Sequence, residues 1–223
     1  MKGLRSWLLG AVLGLPALLL AVSGTIYLQN GLYEEAAFPV PSDLSLNVSL
    51  PRAAYADAAD ALRHTSLDDG NSQLSLAEAQ FDSGVKLRDV LSEAKAGLVH
   101  APASAEGWAF YAEASERVSP VEAAQDLGEA LMLAPYDFFW AGKRARLAAE
   151  LWNYLGSDAK IAALRQTRML WDEPMLRDNM LLLLGTPGGG DLLTRAYAGS
   201  PYTIRAINRF VSARRLQLQL EKP

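Results

Sequence analysis

Residues 97–140 read GLVHAPASAEGWAFYAEASERVSPVEAAQDLGEALMLAPYDFFW, and this stretch decides the fold class. Gly97-Leu98-Val99-His100-Ala101-Pro102 and Ala130-Leu131-Met132-Leu133-Ala134-Pro135 end on the same pattern, small-Leu-x-x-Ala-Pro. The two prolines are 33 residues apart, and a tryptophan follows each at similar distance: Trp108 six residues after Pro102, Trp140 five after Pro135. Between them, Ser119-Pro120-Val121-Glu122 combines a serine cap, a proline in the first turn and a glutamate three residues after the cap, which marks a helix start at Pro120. Val121, Ala124, Leu127, Ala130 and Leu131, with Leu133 at its end, give that helix one apolar face, and a second helix, about 105–117, precedes it. Two helices per period of about 34 residues predict stacked helical hairpins.

At these residues the chain resembles the tetratricopeptide repeat family. Trp108, Ala112, Ala123 or Ala124, Leu127, Ala130 and Pro135 match that family's repeat, with one residue missing between Trp108 and Pro135. The preceding unit offers Val90, Ala94, Gly97 and Pro102; the following one begins at Trp140 but reaches its proline, Pro174, only 39 residues after Pro135. The likeness covers about residues 86–172. It implies an antiparallel helical-hairpin, solenoid-like domain whose surface takes a protein or peptide partner. Small residues at the crossings would let the helices approach and bulky ones would fill the gaps.

Working outward, the remaining pattern is helical as well. Pro51 stands at the start of RAAYADAADALRH, Asp68-Asp69-Gly70-Asn71 reads as a turn, and Ser75-Leu76-Ala77-Glu78 reads as a capping box opening another helix. Further helices are predicted over about 85–100, 137–155, 158–171, 174–184, 191–198 and 201–220, with Thr186-Pro187-Gly188-Gly189-Gly190 the strongest break. The expected class is all-α.

The N-terminus is of another kind. Lys2 and Arg5 precede an uncharged run from Trp7 to Leu28, and Glu34 and Glu35 follow it. As a helix at ~1.5 Å per residue the run spans about 33 Å, enough for a hydrocarbon core of ~30 Å. The expectation is a cytoplasmic segment 1–6, a single transmembrane signal anchor 7–28 in the inner membrane, an extended tether 29–52 and a periplasmic helical domain 53–223. The alternative is a signal peptide cleaved near Ser23, which also delivers the domain across the membrane. Gly10 and Gly14 are four residues apart and form a candidate helix–helix contact in the bilayer, compatible with a homo-oligomer.

Composition narrows the chemistry. The 223 residues contain no cysteine and two histidines, His64 and His100. This removes thiol nucleophiles, cysteine-based metal sites and disulfide scaffolds, and no cofactor is expected. The formal net charge of −4 conceals two opposite halves. Residues 30–137 carry 18 acidic and 6 basic side chains, residues 138–223 carry 7 acidic and 13 basic. The halves are expected to attract each other; a basic face including Lys143, Arg144, Arg205 and Arg209 is the competing expectation, for an acidic partner or lipid headgroups. Nucleic acid is not expected as a partner.

No Ser–His–Asp arrangement can be assembled, and Pro187–Gly190 lacks the lysine of a phosphate loop. The expected function is therefore a membrane-tethered, non-enzymatic interaction module that docks a component of a bacterial envelope machine such as polysaccharide assembly, secretion or cytochrome maturation. Candidate partner-binding residues are Trp108, Tyr111, Trp140, Lys143, Arg144, Arg205 and Arg209. The alternative is an envelope carbohydrate-binding protein or a carboxylate-dependent glycan-active enzyme, using acids such as Glu113 and Glu116 with a groove of Trp108, Trp140, Trp152 and Trp171.

Overall fold

A computed structural model describes residues 22–25, 28, 32, 50–64 and 69–220. From Arg52 onward ten α-helices and one 3-10 turn follow one another, and no described residue lies in a strand. The chain is all-α over these residues. Among them no helix is long and apolar enough to cross a membrane. Most of the expected span 7–28, with Gly10 and Gly14, and most of the expected tether lie outside the described residues.

Helix α1 (Arg52–Arg63) leads into α2 (Gly70–Ser83) and α3 (Leu87–His100). The expected helix start at Ser75 is corrected: α2 begins five residues earlier. Asp69, expected to be a turn residue, is its cap, accepting hydrogen bonds from the backbone N–H groups of Asn71 at 3.3 Å and Ser72 at 3.2 Å. An aspartate satisfies helix-end donors as well as a serine does, so the Asp-Gly pair that reads as a turn serves as a helix start. The helix closes at Gly84, whose φ of +86° only glycine adopts readily, and the Val85 N–H reaches back to the Gln80 carbonyl at 3.0 Å.

α4 (Ala105–Ser115) and α5 (Pro120–Leu133) form the central hairpin, and α6 (Ala141–Glu150) with α7 (Ser157–Asp172) the next. α2 packs extensively on α1 and α3, and α4 on α5; α6 packs on α7, and that pair packs at least as much on α4 and α5 before it. The crossing of α2 and α3 shows why small residues recur. A Cβ on Gly97 would meet the Gly70 carbonyl oxygen and Leu74 Cγ, each at 2.9 Å. Leu74, Val90, Ala94, Leu98 and Phe110 fill the space beside it.

The expected helix 137–155 is shorter, ten residues from Ala141 to Glu150. Residues 134–140 form a loop in which Asp137 accepts from the Phe139 N–H at 2.9 Å. The expected helix 174–184 is also divided, into a 3-10 turn (Pro174–Leu176) and the short α8 (Asn179–Leu183). α9 (Gly189–Ala196) and α10 (Pro201–Leu220) complete the fold. A second core runs from α4 to α10, with Leu127, Leu147, Leu170, Met180, Leu193 and Ile207 at its centre. Alanine and leucine together make up most of both cores, so the helices pack on alternating small and bulky side chains.

Candidate functional site

Two features stand out where the hairpins meet. The first is a line of charged side chains along α2, α4 and α6, the leading helices of the three hairpins. Lys143 Nζ of α6 lies 2.8 Å from Glu113 Oε2 of α4 and 4.6 Å from the centre of the Trp140 ring. Arg146 bridges Glu113 at 2.6 Å and Glu150 at 2.8 Å. The indole N–H of Trp140 donates to Glu106 Oε1 at 2.7 Å. Glu106–Trp140 and Glu113–Arg146 join residues 34 and 33 positions apart, so α4 is tied to the start and the middle of α6.

Glu78 of α2 sits buried at the inner end of this line. Burial pushes its carboxyl up to about 8; the Lys143 charge opposes that rise, and Glu106, Glu113 and Asp82 add to it. Burial also works against the Lys143 charge, but Glu113, Glu78 and Asp82 outweigh it and hold the ammonium above its ordinary range. Lys143, Arg144 and Arg146 from the basic half thus meet Glu113, Glu78 and Asp137 from the acidic half. The attraction expected between the halves operates here, inside the stack.

These contacts correct two of the candidate residues. Arg144 is completely buried, donates to the carbonyls of Ala130 at 3.0 Å and Asp137 at 3.3 Å, and pairs with Asp137 Oδ2 at 3.2 Å. It clamps the C-terminal end of α5 to the following loop, where the negative end of the helix dipole favours a cation. Trp140, 4% exposed, packs with Ala109 and Ala130. Neither side chain meets solvent, and periodicity could not distinguish a buried arginine from a surface one. Lys143 is half-buried in the same line. Arg205 and Arg209 are exposed on α10, away from these contacts.

The second feature is a cavity of about 370 Å³ between α3, α4 and α5. Trp108 and Tyr111 of α4 line it with Leu98, Val99 and Lys95 of α3 and Glu122, Gln125 and Asp126 of α5. Two of the sequence candidates therefore come together. The Trp108 ring is fixed from below, its indole N–H donating to the Pro102 carbonyl at 2.9 Å. Burial raises the Asp126 carboxyl to about 6, helped by Glu122 and Glu129 and opposed by Lys95. Burial likewise raises the Tyr111 hydroxyl, with Asp126 and Glu122 adding to it.

The four tryptophans do not share one groove. Trp152 lies under Lys160 and Arg195, at 5.5 and 5.3 Å, and Trp171 meets Phe210 edge-on at 5.7 Å. A smaller cavity of about 320 Å³ is lined by Phe81, Val85, Leu87 and Ala114 with Glu113, Glu116, Arg117 and Arg146. There burial raises the Glu116 carboxyl, and the charge of Glu150 with a hydrogen bond to it adds to the shift. Among the described residues no group of histidines and carboxylates could hold a metal ion.

Sequence reading passed over one exposed apolar surface. Met132, Leu133, Tyr136, Phe138 and Phe139 are all exposed at the end of α5 and in the loop after it, Tyr136 at 74% and Phe139 at 71%. The signal was present as Tyr136-Asp137-Phe138-Phe139 beside Pro135, but it reads as the start of a helix once Trp140 is taken as a repeat position. No family model, no curated protein and no solved structure matches the chain.

Proposed function

We propose that this chain is a docking module without chemistry of its own, held at the outer face of a bacterial inner membrane by residues 7–28 and presenting a tetratricopeptide-like hairpin stack to a protein of an envelope machine. The observation that carries the reading is the cavity formed by three consecutive helices, with Trp108 and Tyr111 on its wall. Aromatic side chains in a concave site supply large contact area at little entropic cost. The exposed Tyr136, Phe138 and Phe139 lie at the end of α5 nearest the start of α4, and extend the apolar surface at that end of the hairpin. Several large apolar side chains exposed within a few residues of one another mark an interaction surface more often than an isolated exposed leucine does.

The test is site-specific photocrosslinking in intact cells from Val99 and Tyr136, with Arg215 on the far helix as control. A discrete protein adduct from the first two positions and none from Arg215 is the expected result. Adducts from none of them, or equally from all, would sink the docking role. Sequencing the N-terminus of the mature chain separates a retained anchor, which begins at Met1, from a cleaved peptide, which begins near Ser23.

A second reading, a glycan-binding or glycan-active protein, rests on the Glu116–Glu150 carboxyl pair beside the 320 Å³ cavity. The two carboxyls are hydrogen-bonded to each other, closer than the ~5–10 Å that glycosidic bond cleavage uses, so their part in this reading is to bind a sugar hydroxyl. Calorimetric titration with peptidoglycan fragments favours it if heat is released by the wild type and lost in Glu116→Gln.

A further inference from the structure

We propose that the Trp108 cavity receives a lysine or arginine side chain of a partner polypeptide, its alkyl stem between Trp108 and Leu98 and its cationic head against Asp126 and Glu122. The inference rests on the docking role above and gives that surface a chemical selectivity.

Asp126 Oδ2 is shielded from solvent and has no hydrogen-bond partner. That oxygen accepts no hydrogen bond from the chain itself, so a donor brought to the Asp126 carboxyl by an occupant of the cavity would meet no competing donor there. Glu122, one helical turn before it on α5, faces the same cavity, so two carboxylates converge where an incoming head group would arrive. An anionic occupant would meet both of them, and a neutral one would leave Oδ2 as it is. The acidic excess of residues 30–137 favours approach of a cation over the same surface.

The apolar wall suits the rest of such a side chain. Leu98 and Val99 of α3 stand with Trp108 and Tyr111 of α4. Methylene groups pack on this surface, and a guanidinium or ammonium group is attracted to an indole face. Val99 is 71% exposed and carries the apolar surface beyond the cavity. An occupant that covers Val99 as well must be larger than a free amine, which makes it a segment of polypeptide. Lys95 also lines the cavity and its charge already acts on Asp126, so two carboxylates face one resident cation there.

The experiment uses the full-length chain in non-ionic detergent with ¹⁵N-labelled tryptophan, the Trp108 indole resonance being assigned from Trp108→Phe. The probes are acetyl-Ala-Lys-Ala-amide, its arginine counterpart and its norleucine counterpart. The expected result is a saturable shift of the Trp108 resonance by the two cationic peptides, with norleucine binding about tenfold more weakly. Asp126→Asn removes most of that preference and leaves the other indole resonances in place. Equal binding of lysine and norleucine, an unchanged preference in Asp126→Asn, or no shift at millimolar peptide would overturn the proposal. If crosslinking from Val99 captures a partner equally well in Asp126→Asn, docking stands and the cation site falls. If the peptides select as expected while no partner is crosslinked, the cation site stands and the docking role falls. Concentration-dependent self-association that disappears in Arg205→Glu/Arg209→Glu would place a second copy in the cavity and overturn the partner assignment.

Discussion

Two hairpins of this molecule open with a tryptophan, and they use it in opposite ways. In α4–α5, Trp108 is half-buried, bonded to the Pro102 carbonyl of its own entry turn, and one face of it lines a cavity. In α6–α7, Trp140 is almost fully buried and bonded to Glu106 of the preceding hairpin. The difference lies in where the indole N–H finds its acceptor. An acceptor in the local turn lets the ring stay at the surface; an acceptor one repeat back draws it into the joint between hairpins. Equivalent sequence positions thus become a recognition surface in one unit and a fastening in the next.

The largest expected effect tests the fastening. Arg144→Ala removes a fully buried cation and leaves the Ala130 carbonyl and the Asp137 carboxylate without it, so it should cost about 3–5 kcal/mol in chemical denaturation. Trp140→Ala should cost a similar ~3–5 kcal/mol through the cavity it leaves. Trp108→Ala should cost about 1–2 kcal/mol, since the ring is only half covered. Equal losses at the two tryptophans would erase the distinction between them.

A second effect concerns pH. The Glu78 carboxyl is raised from 4.5 to about 8, so the folded chain keeps a proton that the unfolded chain releases. Protons bound in excess by the folded state make stability fall as pH rises, here from about 4.5 to about 8, and level off above. Thermal unfolding followed across that range should show a falling melting temperature. Glu78→Gln should flatten the fall, because a neutral amide has no charge to desolvate. Some slope should persist, as the carboxyls of Asp82, Glu116 and Asp126 are raised by the same cause. A slope unchanged by Glu78→Gln would mean that the line of charges does not penetrate between the hairpins as described.

The contrast between the tryptophans also shows what the amino-acid pattern could carry. Helix class, the start at Pro120, the span 201–220 and the pairing of helices were legible, because apolar spacing and proline placement report directly on backbone geometry. Gly97 was legible as a small residue at a crossing; that it faces Gly70 was not, since pairing between helices is a tertiary property. The start of α2 was misread because Asp-Gly serves turns and caps alike. Of the residues that line the larger cavity, the sequence points to Trp108 and Tyr111 as candidates but not to Glu122 and Asp126, whose nearness to them is set by packing between helices. Arg144 looked like part of a basic face, since charge in a sequence has no depth.

The smallest expected effect bears on how each hairpin begins. Ser104 accepts from the Gly107 N–H at 3.1 Å, so the start of α4 is secured by its own cap. Ser119, one helix later, makes no side-chain capping bond; Pro120 in the first turn and Glu122 beside the helix dipole serve there instead. α6 has Trp140 itself at the cap position, again without a capping bond, and depends on its contacts with the previous hairpin. Ser104→Ala should therefore cost about 1 kcal/mol and Ser119→Ala only about a few tenths. Hydrogen exchange should show the first turn of α4 loosening in Ser104→Ala while α6 keeps its protection. Loosening of both helices together would mean that α4 holds α6 in place through its entry turn, and that local and inter-hairpin fastenings are one system.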